Sequence, residues 1–388
     1  MIKFLVLVLF SISLLAIEHN SNISIKYINY HNYSNEIILQ GDTKLKLEND
    51  IFATDITLEY LYSNEYKDRR YIMLNELYFT KEYENYSFTF GKTIKYWGEL
   101  EGFNIADIYN QKNYLLDPFN KSDKLGSIGL TLTKYFDENS LEVGVKLYEE
   151  NIKYPSVNSP YYPFPINYDK ELQLSNKRYT PTVYMTYNLL TDDNLDSDTK
   201  LILMHGYDNK RYFIPINQTT LSQYAYRVNK ILLLSNMLYQ DIIFKYEVSY
   251  TDVIDDEIMS DYAQLSFGVE KSFYDIANVD IGVYLEYYKY IYMQDGQIEN
   301  IDISEIYNDD IFSALKINFN DVRDSEIKGG FLYDTNNQEK VFKLEAKSRI
   351  IDSFILNVEY FQIISSENTF LSNIGDSTRV FAGLTYTF

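Results

Sequence analysis

The sequence predicts an all-β chain closed into a transmembrane antiparallel β-barrel of about 16–18 strands. Three observations lead there. Apolar and polar residues alternate with period two along most of the chain, the links between alternating runs are short and long by turns, and the N-terminus has the pattern of an export signal. Alternation places the two residue types on opposite sheet faces, because successive side chains on a strand point opposite ways.

The N-terminal segment comes first. Met1-Ile2-Lys3 gives a short basic start, and Phe4 to Ala16 is apolar apart from Ser11 and Ser13. That run is too short to span a bilayer comfortably and has the charge, apolar and small-residue order of a secretory signal. Residues 1–16 are therefore expected to be a removable leader and 17–388 the barrel, with a mature charge of about −22 once Lys3 is lost. No later stretch approaches 18 uninterrupted apolar residues, so no transmembrane helix is expected.

The barrel strands follow. Leu141, Val143, Val145 and Leu147 share one face while Glu142, Gly144 and Lys146 share the other. Ala263 to Glu270, Val279 to Glu286, Val341 to Lys347 and Phe354 to Tyr360 repeat the pattern. Carried along the chain, it places strands near 21–30, 36–47, 51–62, 69–81, 86–97, 125–136, 139–149, 178–189 and 198–206. Further strands fall near 221–234, 238–251, 260–272, 278–293, 309–320, 323–334, 338–349, 352–366 and 378–388. These lengths suit strands crossing a bilayer at a tilt. Long links are expected at 98–124, 150–177, 207–220, 294–308 and 367–377, on the side opposite the short turns. With an even strand count both termini fall on the short-turn side. A soluble sandwich would alternate too, but with shorter strands and more Gly/Pro turns. Rings near the expected strand ends, among them Tyr27, Tyr30, Tyr62, Tyr135, Tyr287 and Tyr290, read instead as an interfacial belt.

Composition narrows the function classes. Lys and Arg number 35 against 56 Asp and Glu, a formal charge of −21, which is the wrong sign for a nucleic-acid binder. The chain has no Cys, which removes disulfides, thiolate metal sites and cysteine nucleophiles. Its aromatic share is 16%, with 40 Tyr and 23 Phe, whereas Gly and Pro are too few for a disordered chain.

Two stretches resemble known families. The ending Val380-Phe381-Ala382-Gly383-Leu384-Thr385-Tyr386-Thr387-Phe388 puts Leu384, Tyr386 and Phe388 on one apolar face. It resembles the C-terminal strand by which bacterial outer-membrane barrels are recognised for assembly, which implies the barrel-assembly machinery as a partner. The run Gly91-Lys92-Thr93-Ile94-Lys95-Tyr96-Trp97-Gly98-Glu99, followed by Asn104, Asp107, Asn110 and Asp117-Pro118, resembles an element of Gram-negative porin-like barrels, including alginate-export-type and related families. It covers under a tenth of the chain and carries Lys92 where those families more often have Arg. Alternation puts Lys92 on the lipid face beside Phe90, unless a bulge near Gly91 re-aims it.

A barrel of this size leaves an aqueous lumen. The expected function is a passive outer-membrane channel for small hydrophilic solutes that leans toward cations, set among outer-membrane lipids and lipopolysaccharide. No enzyme activity and no cofactor or metal is expected. The alternative is a barrel with a surface, adhesion or export-component role. Segment 98–124 is the candidate constriction, with Lys95, Trp97, Glu99, Glu101, Asp107 and Asp117 as its candidate residues; an external solvated loop is the competing reading. Lumen charges expected from alternation are Glu142, Lys146, Glu270, Glu286, Lys316, Lys343, Glu345, Lys347, Glu359 and Arg379. They either set up a transverse field or pair with one another. Loop 150–177 holds four of the seven prolines, together with Tyr154, Tyr161, Tyr162 and Phe164, and reads as a stiff aromatic lid or surface loop. Asp192, Asn194, Asp196 and Asp198 mimic calcium-loop spacing, but Ser197 and Leu203 stand where Gly and Glu are needed. The three histidines, His19, His31 and His205, are scattered, and His205 with Asp208 makes only a contrived catalytic pair.

Overall fold

A computed structural model describes residues 16–49, 51–191, 196–293, 307–366, 369–374 and 377–388. Apart from Ala16, the expected leader lies outside the described residues, as do Asp192 and Asn194.

The wall opens with β1 (Ala16–Tyr30), β2 (Glu36–Glu48), β3 (Ala53–Ser63), β4 (Arg70–Tyr83) and β5 (Tyr86–Thr93). A small ribbon, β6 (Gln111–Lys112) with β7 (Lys124–Leu125), stands off it. The wall resumes with β8 (Ser127–Phe136) and β9 (Asn139–Lys146), and β10 (Asn167–Leu174) leaves it again. After β11 (Thr182–Thr191) and β12 (Asp196–Tyr207), the strands β13 (Tyr212–Asn217) and β14 (Thr220–Ala225) join β10 in a separate three-stranded sheet. Then come β15 (Arg227–Tyr239), β16 (Ile242–Ile254), β17 (Tyr262–Ile276), β18 (Val279–Tyr292) and β19 (Asp309–Asn318). The last are β20 (Glu326–Asp334), β21 (Lys340–Ile351), β22 (Phe354–Ile364) and β23 (Arg379–Thr387).

Eighteen of these strands form one antiparallel sheet. It closes where β23 pairs with β1, from Asn22 opposite Thr387 to Tyr30 opposite Arg379. Closure removes the free edges that an open sheet would present. All 18 runs expected from alternation are matched by a wall strand. Strand ends shift by up to five residues, as where β1 begins at Ala16, β11 at Thr182 and β16 at Ile242, and part of two runs leaves the wall. The run 86–97 ends at Thr93, and 221–234 divides into β14, off the wall, and the start of β15.

Burial is reversed between the faces. Ile25, Leu39, Phe90, Leu285 and Leu344 are exposed, and Ile72 is 82% exposed, all on the outward face. Between them, Ser24, Glu247, Glu286 and Glu359 point inward and are buried. An apolar exterior around a polar interior is the arrangement a lipid bilayer requires. Short turns gather at one end. Gln240-Asp241 and Ala277-Asn278 have positive φ at both residues (48° and 64°, 56° and 65°), as two-residue hairpin turns need. At the other end, links 94–126, 147–181 and 208–226 fold over and into the lumen. Their rings, among them Tyr114, Tyr154, Tyr161, Phe164 and Phe213, pack with Phe361 of the wall in one core.

Two expectations about rings are corrected. Tyr30 and Tyr290 do not belong to an interfacial belt: their parity turns them inward, where Arg69 donates to the Tyr30 hydroxyl and Tyr290 stacks on Tyr262. Of the two readings of loop 150–177, the surface loop is corrected: Tyr154, Tyr161 and Phe164 are buried, packed inward as a lid's rings would be. Lys92 stays on the outward face, level with Leu77 and Ile128, and its ammonium donates to the Leu74 carbonyl at 2.9 Å. The nearby irregularity lies on β4 around Asn75, not at Gly91.

Candidate functional site

The segment between β5 and β8 builds the site. Both glycines of the Gly-Lys…Trp-Gly run have positive φ, Gly91 at +141° and Gly98 at +142°, a region side chains rarely tolerate. A Cβ on Gly98 would stand 2.3 Å from the Asn104 side chain. Gly91 is still in the wall, paired with Tyr78 and Gly129, whereas Gly98, beyond the end of β5, lets the chain turn across the barrel. Trp97 anchors the turn, buried edge-on against Tyr184 of β11 with ring centroids 5.3 Å apart, and also contacting Tyr109. Beside it the Lys95 ammonium reaches the Glu142 carboxylate of β9 at 2.7 Å.

Beyond Gly98 the backbone docks on the far wall. Glu247 of β16 accepts the N–H groups of Glu99 (2.7 Å) and Ala106 (2.9 Å). Glu286 of β18 accepts those of Glu101 (2.6 Å) and Gly102 (2.9 Å). The Tyr288 hydroxyl takes the N–H of Phe103 at 2.9 Å. Five backbone donors of an irregular segment are thus satisfied by wall side chains, which a buried loop needs. Segment 94–126 therefore crosses the lumen rather than lying outside it.

Most of its side-chain charges are compensated. Glu101 pairs with Lys328 of β20. Asp107 stays within the segment, held by Lys124 (2.6 Å) and Lys112 (2.9 Å). Asp117 meets Arg379 of β23 at 2.8 Å, and Arg379 also grips Glu359. Burial works to raise the Asp117 carboxyl, but Arg379, the Lys343 charge and the Phe119 N–H together outweigh it and hold it below the usual range. Glu101 is likewise held low, burial being outweighed by Lys328 together with the charges of Lys121 and Lys245. Glu99 differs. Among the described residues no cation lies within ion-pair distance of it; the Asn236 amide is its side-chain partner at 3.4 Å. Burial, helped by Asp198, raises its carboxyl above the ordinary value.

The lumen charges expected from alternation all share the inward face and pair mainly with neighbours. Lys146 meets Glu149 (2.8 Å) and Glu270 meets Lys245 (2.7 Å). Lys316 and Lys347 share Glu326, and Lys343 lies between Glu345 and Glu359. Toward the short-turn end a cavity of about 550 Å³ remains, bordered by Lys26, Glu326, Lys328, Glu345, Lys347 and Asn357. Leu384, Tyr386 and Phe388 lie outward on the last strand, with Tyr386 stacked on Phe388. His205 also faces outward, against Arg227 and Asn229, while Asp208 is buried with Lys230 and Tyr262, so the two form no pair.

Sequence reasoning missed Glu247, Tyr288 and Arg69. The first was within reach, since Glu247 lies between the outward Tyr246 and Val248 and parity alone turns it inward. Arg69 gives no such signal. It is fully buried at the rim, bonded to Glu36 (2.6 Å) and to the carbonyls of Leu115 and Pro160.

No protein-family model and no curated protein matches this chain. Solved structures do match it in shape. The OccK3 (OpdO) protein of Pseudomonas aeruginosa is similar at TM-score 0.56 and 10% identity, over 96% of this chain and 95% of that one. A BenF-like porin of Pseudomonas fluorescens is similar at TM-score 0.56 and 10% identity, over 96% and 98%. Wzi of Escherichia coli, described as a carbohydrate-binding barrel involved in capsule assembly, is similar at TM-score 0.57 and 9% identity, over 95% and 84%. With its apolar outer wall and polar interior, the chain has the closed 18-stranded antiparallel fold of bacterial outer-membrane β-barrels.

Proposed function

We propose that this barrel is a porin-like channel of the bacterial outer membrane for passive diffusion of small hydrophilic solutes. The observation that carries the reading is the docking of segment 94–126 on Glu247, Glu286 and Tyr288, which narrows a lumen whose wall is polar. Lys95, Trp97, Glu99, Glu101, Asp107 and Asp117 belong to the constriction. A lean toward cations rests on Glu99, the acid of that group without an ion-pair partner among the described residues; a fixed charge at a narrow point repels co-ions and attracts counter-ions. Removal of residues 1–16 as a leader, assembly through Leu384, Tyr386 and Phe388, and contact with lipopolysaccharide belong to the same reading.

A second reading, a surface or export-component role without conduction, is favoured by one observation: the long-loop end is densely packed by Tyr154, Tyr161 and Phe164. Reversal potential across a salt gradient tests the first reading. The parent is expected to show cation preference, reduced in Glu99→Gln and less so in Glu101→Gln, because Lys328 already compensates Glu101. Equal preference in all three proteins would remove Glu99 from the selectivity argument.

A further inference from the structure

Between the inward segment and the wall strands β19 to β21 lies a hollow of about 120 Å³. Most inward positions of the wall are polar, but here Phe312, Leu332 and Val341 stand opposite one another in one cross-strand row. The next inward row toward the short-turn end runs Ala314, Gly330 and Lys343. Gly330 has no side chain and Ala314 only a methyl, so the wall is recessed at that point. The neighbours do not demand a glycine, since an added Cβ would meet only the edge of the Phe312 ring, at 3.3 Å. What Gly330 leaves is room. Phe119 of the inward segment borders the same hollow, its ring centroid 5.3 Å from that of Phe361. The volume is close to the roughly 150 Å³ of an apolar cavity that holds one benzene ring.

One row further on, Lys328 stands directly opposite Glu345. Both border the hollow and also the cavity of about 550 Å³ toward the short-turn end, so they stand where the two spaces meet. Directly opposite side chains start about 5 Å apart. Among the described residues, however, the two form no ion pair with each other: Lys328 pairs with Glu101, and Glu345 with Lys343 at 3.0 Å. Each keeps spare capacity. An ammonium carries three donors, of which Glu101 takes one, and Glu345 spends one carboxylate oxygen on Lys343. The Lys328 and Glu345 side chains are 26% and 43% exposed.

We infer that this junction binds a small zwitterion with an apolar body, of the class of α-amino acids with an aromatic side chain. Such a head group carries its carboxylate and ammonium on one carbon, as the wall carries Lys328 and Glu345 side by side. The carboxylate takes the spare donors of Lys328 and the ammonium the spare oxygen of Glu345. The ring then lies over Gly330, about 7 Å along the strand from Lys328, against Phe312. A plain anion or cation of the same shape would meet only one of the two wall charges. The inference deepens the channel reading, and rests on it for the passage of the solute, by naming the solute class.

Titration calorimetry of the purified full-length barrel in uncharged detergent, at constant ionic strength and pH 7, tests it with L-phenylalanine as the probe. One saturable site per barrel is expected. 3-Phenylpropionate lacks the ammonium, phenethylamine the carboxylate and L-alanine the ring; each should bind at least tenfold more weakly, about the scale of one charge-assisted hydrogen bond. Lys328→Met and Glu345→Gln should each weaken L-phenylalanine by a similar factor. Gly330→Leu fills the hollow and should abolish binding, whereas Gly329→Ala, on the outward face, should leave it intact. Heat-modifiable migration on gels shows which variants are folded, and the ligand series on the parent decides the question without them. The inference is overturned by no saturable heat with L-phenylalanine, by equal affinity for any of the three analogues, or by full binding in folded Gly330→Leu. Conductance steps in a bilayer without L-phenylalanine binding would sink this inference and leave the channel reading, and binding without steps would do the reverse.

Discussion

The Glu247 carboxylate, fixed in the wall by β16, accepts the backbone N–H of Glu99 at 2.7 Å and so ties the inward segment to the side of the barrel opposite its origin. Its other oxygen holds Ala106. Glu247→Ala leaves two buried N–H groups without a partner, at a cost of about 1–3 kcal/mol each. The segment should loosen, and single-channel records of the variant should show larger and noisier unitary steps than the parent. Glu247→Gln, which keeps one acceptor, should fall between the two.

Arg379 is a second tie, from the last strand to Asp117 of the segment and to Glu359 of β22. All three side chains are buried. Replacing Arg379 with Leu leaves the buried Asp117 without an ion-pair partner and Glu359 with Lys343 alone at 3.3 Å, so a destabilisation of about 3–5 kcal/mol is expected. The urea midpoint of the folded-to-unfolded gel shift reads this directly. The triple variant Arg379→Leu, Glu359→Gln, Asp117→Asn should recover much of the loss.

Gly126 sits where the segment returns to the wall. Its N–H bonds Asn75 Oδ1 at 2.8 Å, and a Cβ there would stand 1.9 Å from the Asn75 backbone oxygen. Backbone cannot yield as a flexible side chain can, so Gly126→Ala should lower thermal stability by about 1–3 kcal/mol, the range for overpacking. Gly329→Ala, whose added Cβ would meet only Leu344 at 3.7 Å, is the matched control and should be close to neutral.

Lys124 sets a pH dependence. Burial lowers its ammonium from 10.5 to about 8, with Asp107 opposing the shift. Between about pH 8 and 10.5 the unfolded chain therefore holds more protons on this residue than the folded one, so its contribution to stability rises with pH across that window. Below about 8 the cost of burying the charge is fully present. Urea midpoints should climb from pH 8 toward 10 in the parent and climb less in Lys124→Met.

Much of this fold was legible because a barrel writes its two environments into alternate residues. Val341, Lys343, Glu345 and Lys347 declare one face and Phe342, Leu344 and Ala346 the other, with no long-range information needed. The inward charges were legible for the same reason. What lay between strands was not. Thr220 to Ala225 continues into β15 with similar patterning, so nothing local separates a strand of the rim sheet from one of the wall. Tyr30 and Tyr290 sit near strand ends like belt residues, and only their parity against Ile25 and Leu285 reveals that they face inward. The charge pattern of segment 94–126 allowed either an inner or an outer path. Its docking depends on Glu247 and Glu286, more than a hundred residues away, and the compensation of Asp107 by Lys112 and Lys124 depends on the local ribbon of β6 and β7.

Unitary conductance of the purified protein in a planar lipid bilayer is the decisive measurement for solute passage through this barrel. Discrete steps are expected in the parent, and larger ones in Glu247→Ala. A membrane that stays silent with folded protein inserted, in both parent and variant, would contradict it.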